Sequence, residues 1–289
     1  MTVTDAPTDR DGGPPRWPVE SRSRTMWSAY RTMGRTSVMT QFQYRTMNYF
    51  FLIGMVAEPL VYLVVWQTIA RQQGGAVDGY TPGHFAAYYI TWTLVRNMNV
   101  VFTPFGWEER IVTGELSGWL MRPLHPVHYD IGYFAGWKVV TIVLWLPIAG
   151  VLAAIFRPEL QTSVLQVAVF AVAIWGAFMV RALMLWLLGM ITLWTTRIAA
   201  ICETYFMAEL LLSGRLVPMA LLPDWAQRIS WFLPFRWAFA FPITALVGPI
   251  DRGDLVIGLA MQLLWIGIGA GLINVVWRRG MLRYGAVGG

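Results

Sequence analysis

Four prolines decide what the last third of this sequence can become. Between Ala199 and Gly248 an apolar run, Ala200 to Leu212, stops at Ser213-Gly214. It is followed by LVPMALLPDWAQRISWFLPFRWAFAFP, in which Pro218, Pro223, Pro234 and Pro242 recur. Each proline removes a backbone donor and disfavours the helical region for the residue before it, so one long straight helix is excluded. In hydrocarbon, an irregular backbone persists only where protein packs around it or it lines a wet cavity. The expectation is a helix that nearly crosses a membrane, folds back as a short broken hairpin, and leaves on the face it came from.

The rest of the chain makes the membrane its solvent. Of 289 residues, 56% are hydrophobic and 13% charged, too few polar groups to cover a soluble surface. The single cysteine, Cys202, excludes an intrachain disulfide and reads as a small apolar filler. All 22 basic residues except Lys138 are arginine. Residues 1–24 mix charge, proline and glycine without an apolar core, which reads as a disordered cytoplasmic tail rather than a cleavable signal.

Residues 25–48 interleave Met26, Trp27, Tyr30, Met33, Val38, Phe42 and Tyr44 with Arg31, Arg35 and Arg45, a pattern suited to a helix lying in the membrane interface; the alternative is a juxtamembrane linker. Apolar spans are expected at about 49–69, 84–105, 133–155 and 164–193, then in the Ala200 helix and at 255–277. Residues 285–289 form a short tail. Arginine near span ends favours the cytoplasmic side, and both flanks carry it: Arg22, Arg24, Arg31, Arg35 and Arg45 at one end, Arg278, Arg279 and Arg283 at the other. Both termini are then inside, six crossings satisfy the parity, loop 106–130 is inside and the stretch 213–248 outside. Arg215, Arg228 and Arg236 in that outer stretch break the rule.

The order of Gly214, Pro218, the LPDW of Leu222 to Trp225 and the LPF beginning at Leu233 resembles the outer hairpin of type-two ABC exporter permeases. The LPFRWAFAFP stretch and the chain length are most similar to the viologen-exporter-type subfamily. The resemblance extends over 26–284. It implies an all-α integral membrane domain at 25–284, with six transmembrane helices, an amino-terminal interfacial elbow helix at 25–48 and a re-entrant helical hairpin at 213–248 between spans five and six. The hairpin residues it singles out are Gly214, Pro218, Pro223 and Pro234. Its function would be that of an exporter permease in the inner membrane, moving a hydrophobic, amphipathic or cationic small molecule such as a drug, an antibiotic or a viologen-like compound. Spans one, two and five would face the pathway and a second permease, identical or homologous. Membrane lipid is a further partner, and no nucleic acid is expected.

The chain has nothing to drive such a pump. No G-x-x-x-x-G-K-[ST] phosphate loop is present, and Lys138, at the head of the expected third span, is in no Gly-rich loop. ATP and Mg would be bound by a separate nucleotide-binding ATPase subunit, with no cofactor in this chain. The family's coupling helix, in the loop after span two, carries a pattern like G-x-L-x-x-L-x-x-P-L. It falls on Gly114, Glu115, Leu116, Trp119, Leu120, Arg122, Pro123 and Leu124 within loop 106–130. Leu116, Trp119 and Leu120 lie at i, i+3 and i+4, one apolar face able to enter a partner's groove. Periodicity alone leaves open that they pack on the chain's own span ends; the resemblance favours coupling. His125 and His128 in the same loop have no third ligand nearby in sequence and read as solvated.

Ionisable groups inside spans are functional candidates by default. Glu58 and Arg96 each stand about ten residues into a span from opposite faces, roughly 15 Å deep at the usual rise, and Glu209 sits at a comparable depth. Asn97 and Asn99 flank the Arg96 turn. Either these residues form a polar translocation surface whose carboxylates attract a cationic or amphipathic cargo, or Glu58 or Glu209 pairs with Arg96 to set helix register. Arg181 and Arg197 read as snorkelling toward the cytoplasmic face. Tryptophans such as Trp107, Trp225, Trp231 and Trp277 fall where interfacial belts are normal. Three other readings compete with the small-molecule exporter: a permease for lipid or lipid-linked glycan, an intramembrane enzyme, and a membrane scaffold. No histidine or aspartate lies deep in a span for intramembrane proteolysis. A scaffold needs no coupling-like loop together with a broken outer hairpin.

Overall fold

The computed structural model describes residues 22–101, 104–160, 162–195 and 197–284. The expected tails lie outside the described residues, apart from residues 22–24, which open the first helix. Described residues are helical almost throughout: α1 (Arg22–Gln43), α2 (Arg45–Gln72), α3 (Pro82–Met98), α4 (Pro104–Val112), α5 (Leu116–Leu120), α6 (Pro126–Phe156), α7 (Val164–Met190), α8 (Ala199–Leu212), α9 (Asp224–Trp231), α10 (Pro234–Ala238), α11 (Ala240–Val247) and α12 (Arg252–Met281). Among them α6, α12 and α7 with its 3-10 extension to Leu193 are long and apolar enough to cross a membrane.

Local signals set the helix starts. Thr81 accepts a hydrogen bond from the His84 amide ahead of Pro82 at the first helical position of α3. Ser163 and Gln166 cap α7 reciprocally, and Asp251 accepts from the Asp254 amide at the head of α12.

Helix α3 is the centre of the molecule. Phe85, Tyr88, Tyr89, Trp92, Val95 and Met98 are buried, enclosed by α2, α6, α7 and α11. The second apolar stretch, expected to run through 84–105 and to face a pathway, is therefore divided and enclosed. It stops at Met98, the chain turns through Asn99 and Val100, and α4 starts at Pro104. The freed carbonyls are not wasted: the Lys138 ammonium donates to those of Asn97 (2.8 Å) and Val100, and the Arg181 guanidinium to that of Asn99. Two buried cations thus satisfy a helix end that water would otherwise have to reach.

The proline-rich stretch breaks as its sequence demands. Helix α8 ends at Leu212, and Gly214 takes the left-handed conformation (φ +82°) that favours glycine. Its carbonyl is held by the Tyr88 hydroxyl at 2.7 Å, while Tyr89 Oη and Trp66 Nε1 both donate to the carbonyl of Leu216. Pro218 precedes a 3-10 turn, Met219–Leu221; Pro223 precedes α9 and Pro234 opens α10. Phe235, Trp237, Phe239 and Phe241 from the following short helices are buried against α3 and α7, whereas Trp225 and Phe232 are exposed.

Helix α1 runs alongside α6 rather than across its end. Tyr30 hydrogen-bonds His128, Met33 lies against Gly132, and Gly34 and Ser37 lie against Gly136, so the two helices keep company over about two turns in the same direction. A Cβ on Gly136 would sit 2.5 Å from the Gly34 carbonyl oxygen. That close approach of backbones, which small residues permit, holds α1 along a spanning helix.

Candidate functional site

Two features stand apart from ordinary packing: a chain of buried ion pairs, and a short helix whose tip faces outward.

The ion pairs begin where α2 meets α3. Glu58 accepts from Arg96 at 2.5 Å, and Arg215, just past the end of α8, lies 3.7 Å from the other Glu58 oxygen. Arg215 also donates to Glu209 at 3.1 Å, and Arg181 from α7 grips both Glu209 oxygens at 2.9 and 3.0 Å. Glu209 is only 1% exposed, whereas Glu58, at 33%, forms the open end of the chain. Phe239 lies beneath Arg181 and Arg215, and Arg96 lies over Trp92, so aromatic faces carry part of the cationic charge.

Of the two pairings weighed from sequence, Glu58 with Arg96 is present. Glu209 turns instead to Arg181 and Arg215. Arg181 does not snorkel: it lies twelve residues from the end of its apolar stretch, about 18 Å at the helical rise, which is too deep to reach an interface. Lys138 is not at the head of a span either, because α6 begins at Pro126 and buries that side chain completely. Arg215 counted against the positive-inside pattern, but its side chain points into the protein. Asn97 and Asn99 are buried and face backbone, donating to the carbonyls of Thr93 and Ala238 at 2.7 Å each; they brace the end of α3. Sequence depth alone could have found Arg181. Arg215 carried no such signal, since its position depends on the Gly214 turn.

The outward tip is α5. Gly114 makes the turn before it (φ +78°). Leu116 does not share an outward face with Trp119 and Leu120 as the spacing suggested. It is fully buried beside Trp107, Val127, Trp186 and Ile273. Trp119 is fixed by a hydrogen bond from its Nε1 to Glu115 at 3.1 Å and lies between the guanidiniums of Arg110 (4.3 Å) and Arg122 (4.0 Å). What remains exposed is Leu120 and, just past the helix, Met121, with Pro123 beyond and Leu124 half-buried. Arg110 is bound through two hydrogen bonds to Asp130, tying α4 to α6.

The two histidines are not solvated. His128 meets the Tyr30 hydroxyl at 2.6 Å. His125 stacks on Trp277 at 4.2 Å, and its Nδ1 accepts from the Val127 amide to cap α6. Burial, and then the neighbouring His128, push its pKa down to about 4. Among the described residues no three His, Cys, Asp or Glu side chains gather to hold a metal ion.

Charges held this way, in pairs among long apolar helices, define a multi-pass helical membrane protein. Sequence comparison supplies the family: residues 56–288 match the model for "ABC-2 family transporter protein", and the chain belongs to that family. It is a permease, the transmembrane component of an ABC exporter, and such permeases associate with an ATP-binding subunit. No curated protein matches the sequence.

Proposed function

We propose that this permease moves a hydrophobic or amphipathic small molecule, drug-like or antibiotic-like, out through the inner membrane, using ATP and Mg held by a separate nucleotide-binding subunit. The observation that carries the reading is the construction of α5. Leu120 and Met121 stand free at a tip whose base is anchored by buried Leu116 and clamped Trp119. A tip of that kind can seat in a partner's groove and pass its movement to the bundle without bending.

The permease works as a pair, identical or homologous, through the broad exposed apolar faces of α2 (Ile53, Val61, Val65) and α8 (Met207, Leu211). Both termini are cytoplasmic, and α2, α3 and α8 complete six crossings with α6, α7 and α12. The stretch LPFRWAFAFP favours the viologen-exporter-type branch. The charges argue against a simple cation-attracting surface: Glu58 and Glu209 already face Arg96, Arg181 and Arg215, one positive charge in excess.

Affinity purification of the full-length chain from its own membranes should recover a nucleotide-binding ATPase. The double variant Leu120→Asp/Met121→Asp should lose that subunit and the transport, while keeping the parent's melting temperature. Isolation of this chain alone under crosslinking, or transport by the double variant at the parental rate, would overturn the proposal.

A further inference from the structure

A cavity of about 540 Å³ opens between α1, α5 and the first two turns of α6. One side is apolar, formed by Met33, Tyr133 and Phe134; the other carries Arg122 and Tyr129 with the threonines of α1. We propose that this cavity is a headgroup site for an anionic phospholipid.

Three observations point there. The first is charge. The Arg110 guanidinium in the wall is matched by Asp130, at 3.1 and 3.2 Å, so that pair is neutral. Arg122 is held at 4.0 Å over the Trp119 ring and 5.2 Å over that of Tyr129, and it makes no hydrogen bond to the protein among the described residues. Its face is stacked on rings and its N–H edge is left to a ligand, the geometry in which arginine takes a phosphate. Exposed Arg31 and Arg35 flank the threonines Thr32 and Thr36 in sequence and add to the positive field.

The second is depth. Tyr129 and Tyr133 lie in the first two turns of α6, one of the helices long enough to span a bilayer, so the cavity sits at headgroup level whichever way the chain is oriented. The third lies further along the same two helices. A second cavity, about 420 Å³, is lined largely by apolar side chains, Val38, Phe42, Val139 and Val143 among them. One helix pair thus offers a cationic cavity at the end of a span and an apolar one further in, the order of a lipid's headgroup and its chain.

The site touches α5 through Trp119 and α1 through Thr32 and Thr36. A phosphate bound to Arg122 therefore bridges the coupling segment to the amino-terminal helix. The inference does not need the exporter reading, because lipid binding is measured on this chain alone.

The test is native mass spectrometry of the full-length protein, delipidated and titrated with phosphatidylglycerol or with phosphatidylcholine of the same chains. The expected result is a phosphatidylglycerol adduct formed at least about tenfold more readily, a difference in scale with one charge-assisted pair. Arg122→Gln should abolish that preference, as should Thr36→Trp, which fills the cavity and keeps every charge. Arg228→Gln, on α9, should not change it. Equal binding of both lipids, a preference surviving Arg122→Gln and Thr36→Trp in folded protein, or displacement of the adduct by millimolar inorganic phosphate would each overturn the lipid site.

Discussion

Glu209 is the place where one proton's worth of charge should matter most. Changing Glu209→Gln preserves shape and acceptor atoms and removes only the negative charge. Arg181, 13% exposed, would be left with the Asn99 carbonyl alone, while Arg215 would keep Glu58 at 3.7 Å. Stranding a buried charge costs about 3–5 kcal/mol. The low end applies here because one of the two arginines retains a partner. At roughly 2–4 °C per kcal/mol for a chain of this size, the purified protein should melt about 6–12 °C lower. Glu58→Gln acts at the open end of the same network, where exposure limits an ion pair to about 1 kcal/mol or less, so its melting point should fall by no more than about 4 °C. Adding Arg181→Gln to Glu209→Gln removes the stranded charge and should restore part of the loss. Differential scanning fluorimetry on the four proteins decides it. If Glu58→Gln proved as damaging as Glu209→Gln, or the second substitution rescued nothing, the network would not be the buried, charge-balanced structure described.

Two further outcomes follow from the amino-terminal side. Gly136→Leu drives a side chain into the Gly34 carbonyl and should detach α1 from α6, abolishing a disulfide crosslink engineered between the Tyr30 and His128 positions while α7 and α12 stay protected from exchange. His125 is held neutral in the fold, with its pKa near 4 against 6.5 for the free side chain. The unfolded chain therefore binds the proton first, and stability should fall as pH drops from about 6.5 through 4. Asn is a good cap that does not titrate, so His125→Asn should flatten that part of the stability–pH curve; an unchanged slope would locate the titration elsewhere.

Much of the architecture was legible because hydrophobicity and proline placement act locally. The α7 bounds, the end of α8 at Ser213-Gly214 and the division of the following stretch all fall where caps and prolines placed them. The interruption of α3 was not legible, since residues 99–103 read as apolar and only Asn97, Asn99 and Pro104 hint at it. Whether such a segment stays helical depends on Lys138 and Arg181 arriving from two other helices. The coupling pattern was visible as a motif, yet the side chains that face outward were not. Leu116 and Leu120 look alike in sequence, and only the arrival of Trp186 and Ile273 decides which is covered. The histidines were misread for the same reason, their partners being 98 residues and 152 residues away in Tyr30 and Trp277.

The gap between α3 and α4 has a mechanical meaning. A continuous helix from residue 82 to 112 would be a single rod, and a push at α5 would tilt all of it. Here the rod is cut, and the cut is pinned by Lys138 from α6 and Arg181 from α7, the latter also holding Glu209 of α8. Movement of α4 and α5 thus arrives at a joint shared by three other helices. The bonds that stretch there are those from ammonium and guanidinium to the carbonyls of residues 97, 99 and 100. A displacement at the rim of the protein is converted at that joint into a change in how tightly α8 is held.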